Sequence, residues 1–301
     1  MNVLLTGAGG NLGRVAIPEL EAAGHTVRGV DARGGSFDEL DVREADEVRR
    51  AVAETDAVVH AAALHGIHLQ DASPHEYWQT NVTGTFNVYE AARESGVRRV
   101  VLCSSMAVYG ESAKRRDGWA VVTEESPTLP TDVYGLSKLL CEQMARHYAR
   151  TAGITTVALR LGMFVPETFE RYGFRLLFGG VDDRDVAQAL RLATTHEPPG
   201  GFDVFDVMAD TPFGDAEAVE LGHDPGVVIE RHWPGTADLA AERGADVEEL
   251  VWGWAIWPVE KAKRVLAYAA KYGFGEFLDA WRRDDRAHYP FAGLPQWRPG
   301  R

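Results

Sequence analysis

The stretch Thr6-Gly7-Ala8-Gly9-Gly10-Asn11-Leu12-Gly13 lies between a short apolar run, residues 3–5, and residues 12–23, whose apolar side chains recur at helical spacing. Glycines at the second, fifth and eighth places of this stretch allow a tight turn, close approach of the backbone to a pyrophosphate, and close packing of a helix on a strand. The amino end of that helix would face the phosphates with free N–H groups. A plain strand-to-helix turn would also fit the glycines alone, but the flanking strand and helix favour a dinucleotide-binding loop.

The chain beyond this loop alternates between two patterns up to about residue 166. Apolar runs predict four more buried strands, at 26–30, 57–61, 100–103 and 155–161. Helical spacing of apolar residues predicts helices between and after them, at 44–53, 77–95, 134–151 and 183–194. Apolar strands separated by helices indicate a parallel sheet covered on both faces, so the predicted fold class is α/β, a Rossmann doubly wound sheet.

The pattern loosens after residue 166. We expect a nucleotide-binding domain over residues 1–166 and a small C-terminal substrate domain over 167–301, from which the helix at 183–195 returns to the first domain. Residues 200–235 are rich in Gly, Pro and Asp and predict loops with short strands. Helical patterns at 259–268 and 275–282 predict closing helices.

Composition narrows the class of partner. The 301-residue chain carries a formal net charge of −14, which disfavours nucleic acid as a partner. It opens without the basic and apolar segments of a signal peptide, and it has no run near the roughly 20 apolar residues that span a membrane. The two cysteines, Cys103 and Cys141, are too few for a disulfide framework. We therefore expect a cytoplasmic protein without a membrane partner.

Two acidic residues bear on which dinucleotide would bind. Asp31 ends the second predicted strand, 18 residues past Gly13. A carboxylate there can accept hydrogen bonds from both ribose hydroxyls and would repel a 2′-phosphate, which favours NAD over NADP. Arg33 leaves NADP open, because an arginine can hold that phosphate. Asp41, with Val42 beside it, lies where the third strand should end and would suit the adenine amino group, although a solvated turn acid fits as well.

A tyrosine, a lysine and two serines form the candidate catalytic group. Tyr134 and Lys138 are spaced i, i+4, so both side chains lie on one helix face. A phenol titrates near pH ~10, and a nearby ammonium favours the phenolate, which would allow acid–base work near neutral pH. Ser104 and Ser105 follow a predicted strand and would lie at the carboxyl edge of the sheet, where ligands bind in open α/β folds.

With these motifs in chain order, the sequence resembles the extended short-chain dehydrogenase/reductases, the NAD-dependent epimerase/dehydratase family. Besides the glycine loop, the matching segments are 41–42, 60–63, 81–85, 104–110, 134–138, 159–160 and 257–268. The resemblance implies a seven-stranded parallel sheet, catalytic roles for Ser105, Tyr134 and Lys138, and a homodimer paired through the helices at 77–95 and 134–151. It also implies cofactor contacts for Gly7, Gly10, Asn11, Leu12, Gly13, Asp31, Asp41, Val42, Ala61, Ala62, Ala63, Asn81, Ser104, Tyr134, Lys138 and Leu161.

Three departures from the family pattern bear on the substrate. Met106 and Ala107 stand where the 4,6-dehydratases carry an acidic pair, so elimination of water is not expected. Met163 replaces a frequent substrate-binding asparagine, and the segment 166–183 is shorter than in nucleotide-sugar epimerases. The compact layout is similar to uronate dehydrogenases, which oxidise free sugar acids.

Three arginines lie in or directly after this shortened segment: Arg171, Arg175 and Arg184. They would suit an anionic substrate through bidentate contacts, but solvated surface positions fit each of them better.

Other patterns were weighed and set aside. His60, His65 and His68 suggest a metal, but no cysteine or carboxylate completes a known spacing, so we expect none. The tryptophans at 252, 254 and 257 are more typical of packing than of a stacking platform.

The predicted function is hydride transfer between NAD and a secondary hydroxyl carbon of a sugar-like substrate, either as epimerisation or as net oxidation. The alternative is a non-catalytic NAD-binding regulator on the same fold.

Overall fold

Seven parallel strands form the central sheet of the computed structural model, which describes residues 1–292 and 294. The strand order is β3-β2-β1-β4-β5-β7-β8, and a separate small sheet pairs β6 with β9. In chain order the strands are β1 (Asn2–Thr6), β2 (Thr26–Asp31), β3 (Asp38–Glu39), β4 (Ala57–His60), β5 (Arg99–Ser105), β6 (Ala120–Val121), β7 (Thr155–Leu161), β8 (Phe202–Val207) and β9 (Ala255–Ile256). The predicted α/β Rossmann class is confirmed.

The helices lie between these strands and in the C-terminal part. They are α1 (Asn11–Ala22), α2 (Ala45–Val52), α3 (Pro74–Tyr77), α4 (Gly84–Ser95), α5 (Val133–Ala152), α6 (Phe169–Arg175), α7 (Asp183–Thr195), α8 (Ala218–His223), α9 (Pro225–His232), α10 (Thr236–Glu242), α11 (Val247–Leu250) and α12 (Phe274–Arg282). The described residues also contain two π-helical turns, Trp78–Thr83 and Ala262–Leu266, and five 3₁₀ turns: Gly66–His68, Met106–Val108, Glu111–Ala113, Pro199–Gly201 and Arg286–His288.

Both faces of the sheet are covered, which explains the continuous apolar runs in its strands. On one face α1 and α7 pack through side chains such as Ala16 and Leu190. On the other face α2, α4 and α5 pack through side chains such as Val48, Val88 and Ala145. Glycines end the two long helices of this face, Gly96 after α4 and Gly153 after α5, each at positive φ.

A second core, rich in aromatic side chains, holds the C-terminal part. Tyr172 stacks on Tyr289 with ring centroids 3.7 Å apart, and Phe277 packs beside them. Trp119 belongs to this core although it precedes α5. The pairing of β6 with β9 therefore joins the first part of the chain to the last.

The structure differs from the sequence prediction most clearly over residues 200–235. The segment predicted as loops with short strands contains β8, the six-residue edge strand of the main sheet, and then α8 and α9, which were not predicted. Two aspartates interrupt the run of apolar residues that would indicate the strand β8 in the sequence. Asp206 is fully buried and accepts hydrogen bonds from Tyr109, while Asp203 accepts one from Lys261. The predicted helix at 259–268 has a π-helical turn at its centre.

The helix α7 packs against α1 on the main sheet, and the division of the chain into two domains stays a prediction. Residues 293 and 295–301 of the predicted C-terminal domain lie outside the described residues. Within the described part of the chain, no helix is long and apolar enough to cross a membrane.

Candidate active site

A cavity of about 880 Å³ lies at the carboxyl edge of the main sheet. Its wall begins at the ends of β1, β2, β4, β5 and β7, where the sheet order brings their following residues together. Most of the predicted site residues line it: Gly7, Gly10, Asn11, Leu12, Asp31, Asp41, Val42, Ala61, Ala62, Ala63, Ser104, Ser105, Tyr134, Lys138 and Leu161.

The glycine loop forms a cradle that side chains would fill. Gly7 has φ of +75°, and a Cβ there would lie 2.7 Å from the amide nitrogen of Ala62. A Cβ at Gly13 would overlap the carbonyl oxygen of Ala8, which explains the close packing of α1 on the sheet. Gly10 caps α1 without a side-chain hydrogen bond, so the first N–H groups of the helix remain directed at the cavity. This arrangement fits a pyrophosphate.

The acidic residue at the end of β2 is held beside the glycine loop. Asp31 Oδ2 accepts a hydrogen bond of 3.0 Å from the Gly9 amide, and Oδ1 accepts one of 3.0 Å from the Arg33 amide. The guanidinium of Arg33 also donates to Asp31 Oδ1 at 3.3 Å. The carboxylate is thus oriented at the place where a ribose would bind, with Arg33 directed toward it.

Asp41 meets a different partner. Arg43 donates to both of its carboxylate oxygens, and this hydrogen bonding holds the pKa of Asp41 below its usual value. The residue therefore lies in the cavity wall as an ionised acceptor.

The candidate catalytic residues meet between α5 and the end of β5. Tyr134 and Lys138 are both buried on α5, and Lys138 Nζ donates a hydrogen bond of 2.8 Å to the carbonyl oxygen of Cys103. Ser105 lines the same cavity as Tyr134, and its hydroxyl oxygen accepts a hydrogen bond of 3.2 Å from the Ala107 amide. Asp132 caps the helix by accepting a hydrogen bond of 2.7 Å from the Gly135 amide, which fixes the first turn of α5.

The pKa of the tyrosine moves against the expected direction. Burial raises the pKa of Tyr134 to about 12, although the nearby Ser105 hydroxyl opposes the change. Burial also lowers the pKa of Lys138. The i, i+4 spacing predicts that the ammonium lowers the pKa of the phenol, but burial sets the direction of the shift in this site.

A buried polar network lies directly behind the site. The Ser104 hydroxyl donates to Glu142 Oε1 at 2.6 Å, and Arg160 Nη2 donates to Glu142 Oε2 at 2.8 Å. Glu142 stands one helical turn after Lys138, and this i, i+4 spacing was the available sequence signal. The Ser104 hydroxyl therefore faces the protein interior, although the residue lines the cavity.

Two predicted cofactor residues stand outside the cavity wall. Gly13 packs against Ala8, as described above. Asn81 is buried, where its Oδ1 accepts a hydrogen bond of 2.7 Å from the Leu64 amide and its Nδ2 donates to Ser137 at 2.8 Å. In this structure Asn81 joins the loop after β4 to α5.

The histidines are engaged within the protein. His60 bonds to Thr6 and Thr85 through its two ring nitrogens, and His68 Nδ1 accepts from the His65 amide at 2.9 Å. The described residues contain no group of three His, Cys, Asp or Glu side chains placed to hold a metal.

The sequence analysis missed the role of the loop that covers the tyrosine. The His65 ring stacks on Tyr134, with centroids 6.1 Å apart and planes 26° apart. Its carbonyl oxygen accepts a hydrogen bond of 2.6 Å from Tyr77, which fixes this part of the loop. His65 and His68 both line the cavity. Nothing local in the sequence indicates this stacking, because the loop and α5 are nearly seventy residues apart.

The tryptophans divide between two environments. Trp257 is buried and packs on Tyr109, with ring centroids 5.6 Å apart, as expected for a packing residue. Trp252 and Trp254 are instead 38% and 48% exposed, and Trp254 lines the cavity. The packing interpretation is thus wrong for Trp254, which forms part of the site.

The seven-stranded parallel sheet and the glycine cradle at its carboxyl edge define a Rossmann-type nucleotide-binding protein. A model of the "NAD dependent epimerase/dehydratase family" matches residues 3–172, more than half of the chain, and the chain therefore belongs to that family. The predicted family is confirmed.

Individual relatives extend this comparison. The chain is 35% identical over 170 residues to a UDP-glucose 4-epimerase from Streptomyces lividans. The aligned region covers 52% of this chain and 50% of that protein. It is 35% identical over 177 residues to a uronate dehydrogenase from Pseudomonas syringae pv. tomato. That aligned region covers 56% of this chain and 62% of the dehydrogenase. The matches thus span half to three-fifths of the length of these curated relatives.

A solved structure shares the fold over nearly the whole chain. A short-chain dehydrogenase/reductase superfamily protein from Agrobacterium tumefaciens with bound NAD has a TM-score of 0.70 at 23% identity, covering 95% of this chain and 98% of that one.

Proposed function

We propose that the protein is an NAD-dependent oxidoreductase acting on a secondary hydroxyl carbon of a sugar or sugar derivative. The observation that carries this proposal is the meeting of Ser105, Tyr134 and Lys138 in the same cavity as the glycine cradle. Phosphate-binding backbone and acid–base side chains in one cavity are what a dinucleotide-dependent reaction requires. The family's own description names NAD, which agrees with this assignment.

The residues suited to holding the dinucleotide lie along the cavity from β1 to β5. The N–H groups at the start of α1 suit the pyrophosphate, Asp31 suits the ribose hydroxyls and Lys138 suits the second ribose. When bound, the oxidised nicotinamide supplies the acceptor for a hydride, that is, the hydrogen of the alcohol carbon with both electrons of its C–H bond.

The side chains of this protein handle the remaining proton. Tyr134 takes the hydroxyl proton as the carbon gives up its hydrogen, so the substrate oxygen becomes a carbonyl oxygen. Ser105 lines the same cavity, and its hydroxyl is available to donate a hydrogen bond to that oxygen. Lys138, buried beside the tyrosine, stabilises the phenolate that must form before the proton is taken. In the reverse direction Tyr134 returns the proton.

Two outcomes follow from the same chemistry. In an epimerase the intermediate carbonyl is reduced again on its other face and no NADH leaves, whereas in a dehydrogenase NADH and the oxidised sugar both leave. The names of the two relatives cover both, since one is a UDP-glucose 4-epimerase and the other a uronate dehydrogenase. A non-catalytic regulator would not need Tyr134 and Lys138 in the geometry seen here.

The test is absorbance of NADH after mixing the protein with NAD and a panel of free sugars, sugar acids and nucleotide sugars. Accumulating NADH identifies a dehydrogenase. Interconversion of two sugars without NADH, followed by chromatography, identifies an epimerase. If no member of the panel reacts although NAD binds, the proposed activity is contradicted and the regulator is favoured.

We further propose a homodimer through α4, α5 and the π-helical turn Trp78–Thr83. These elements carry large apolar side chains that the single chain leaves exposed: Trp78 is 51%, Phe86 48% and Leu136 44% exposed. Apolar side chains of this size on neighbouring helices are typical of a subunit interface.

A cytoplasmic location is proposed as well, because Cys103 and Cys141 are both buried, free thiols.

A further inference from the structure

The part of the cavity beyond Tyr134 has a mainly apolar wall. It comes from four segments that are distant in the sequence, the loop after β4, the turn after β5, the loop after β7 and the loop before β9. Its members are His65, Gly66, Ile67, His68, Met106, Ala107, Met163, Phe164, Val165 and Trp254. A wall of this kind suits a ligand with an apolar face and a few polar groups.

Three arginines were candidates for binding an anionic substrate, and none of them contributes to this wall. Arg175 is fully buried, where it donates to the Val165 carbonyl and to Glu167 at 2.9 Å. Arg184 pairs with Asp182 at 2.7 Å and lies over the ring of Tyr272. Arg171 is exposed, and none of the three lines the cavity.

The cations that do line the cavity lie at its dinucleotide end or face the main chain. Arg33 is bonded to Asp31, Arg43 is bonded to Asp41, and Lys138 donates to the carbonyl of Cys103. The other charged lining groups of the described chain are carboxylates, Glu76 and Asp132. An anionic substrate would therefore be desolvated beside the tyrosine without a compensating arginine.

The histidine at the centre of this wall adds no charge. Burial, with the nearby charge of Lys138, lowers the pKa of His65 to about 3, so its imidazole is neutral at physiological pH. A neutral imidazole both donates and accepts hydrogen bonds, which matches a hydroxyl group. Because the ring stacks on Tyr134 and both residues line the cavity, a substrate whose alcohol meets the phenol would lie close to the imidazole.

We propose that the substrate is an uncharged sugar or polyol, with one hydroxyl bound by His65 and its C–H face on Trp254, and that sugar acids and nucleotide sugars are disfavoured. This inference rests on the proposed oxidoreductase activity and specifies its substrate class. The volume supports it, since a cavity of about 880 Å³ has to hold a dinucleotide as well as the substrate. It has more room for a free sugar than for a second nucleotide.

The first test compares neutral sugars with the acids that carry a carboxylate at C6 in place of the hydroxymethyl group, and with a nucleotide sugar. Initial rates of NADH formation are measured for D-glucose against D-glucuronate, D-galactose against D-galacturonate, and both neutral sugars against UDP-glucose. We expect kcat/KM for at least one neutral sugar to exceed that of its acid by about tenfold or more, which is about 1.4 kcal/mol of discrimination. Equal or faster oxidation of the acids overturns the inference but leaves the proposed activity intact. If NAD binds and these compounds give neither NADH nor, by chromatography, an interconverted sugar, the proposed activity fails.

The second test adds the missing cation. Met163→Arg places a guanidinium in the wall, so we expect the ratio of kcat/KM for D-glucuronate over D-glucose to rise about tenfold or more. Val227→Arg is the matched control, because Val227 is 49% exposed on α9 and does not line the cavity. If neither variant changes the ratio while Met163→Arg still binds NAD, the wall does not select the charge of the substrate.

The third test addresses the histidine. His65→Gln keeps a neutral donor and acceptor, whereas His65→Ala removes both. We expect KM for the neutral sugar to rise in the alanine variant and to recover in the glutamine variant, with NAD affinity unchanged in both. Equal KM in all three proteins contradicts the hydrogen bond to His65.

Discussion

Lys138 Nζ donates a hydrogen bond of 2.8 Å to the main-chain carbonyl oxygen of Cys103. The bond joins α5 to β5 two residues before Ser105, at the edge where the sheet meets the cavity. Since Tyr134 lies one helical turn before Lys138, the same bond fixes the phenol relative to Ser105. The lysine therefore has a positioning role in addition to its charge.

Lys138→Ala is expected to lower both turnover and NAD affinity. The side chain supplies the charge beside the phenol, suits the ribose, and joins α5 to β5. A loss of about 10²-fold or more in kcat is expected for removing a group on which acid–base chemistry depends. Steady-state kinetics and calorimetric titration with NAD measure the two effects. Lys263→Ala, at a surface lysine that pairs with Glu260 and Asp210, is the control and should change neither.

Oxidation should accelerate as pH rises. The phenol must lose its proton before it can accept one from the substrate, and burial raises the pKa of Tyr134 to about 12. The phenolate fraction therefore grows about tenfold for each pH unit below that pKa. We expect kcat/KM for alcohol oxidation to climb between about pH 7 and pH 10. A flat profile over this interval, with a stable protein, would mean that another group accepts the proton.

NAD should bind more tightly than NADP. Asp31 is oriented by Gly9 and Arg33, and its carboxylate would repel a 2′-phosphate. A difference of about tenfold in Kd, or about 1.4 kcal/mol, is a conservative expectation. Calorimetric titration of both dinucleotides measures it, and Asp31→Asn should reduce the difference. Equal or tighter NADP binding in the original protein would assign the 2′ position to Arg33 instead.

Phe86→Glu should separate the subunits of the proposed homodimer. A carboxylate on α4 would be buried without a partner in a helix-to-helix interface, which strongly disfavours association. Light scattering at micromolar concentration should give the mass of two chains for the original protein and of one chain for the variant. Val227→Glu, on exposed α9, serves as the comparison. A single-chain mass for the original protein refutes the dimer.

Glu142→Gln should destabilise the fold. The carboxylate accepts hydrogen bonds from Ser104 and Arg160 and is 1% exposed, so its removal leaves the Arg160 charge buried. Breaking one partner of such a buried pair costs about 3–5 kcal/mol. Thermal unfolding should show a clear decrease in Tm, whereas Glu220→Gln, at an exposed pair with Arg231, should leave Tm nearly unchanged. An unchanged Tm for Glu142→Gln would show that the network contributes little to stability.

The parts of the molecule that the sequence predicts well depend on local patterns. The glycine loop, the strands that continue through the sheet and the spacing of Tyr134 and Lys138 are visible within a few residues of each other. The sequence predicts short strands over residues 200–235 without placing β8, because the two acids of β8 are typical of a solvated segment. They are stabilised by Tyr109 and Lys261, which come from distant parts of the chain.

The substrate end of the cavity was not predicted either, because its residues also come from distant parts of the chain. Its wall brings together side chains from four separate segments, and the stacking of His65 on Tyr134 depends on how the loop after β4 folds back. The direction of the Tyr134 pKa also depends on burial, which spacing alone does not reveal.

The most direct test of the proposed chemistry is Tyr134→Phe, which removes the phenol oxygen and keeps the ring that packs under His65. Turnover with the best substrate of the panel is measured beside calorimetric titration with NAD, and Ser105→Ala is measured in parallel. We expect Tyr134→Phe to lose about 10²- to 10⁴-fold in kcat with NAD affinity nearly kept, and Ser105→Ala to lose less. If Tyr134→Phe retains more than about a tenth of the original turnover, well short of the loss expected for a proton carrier, Tyr134 does not carry the proton and the assignment is contradicted.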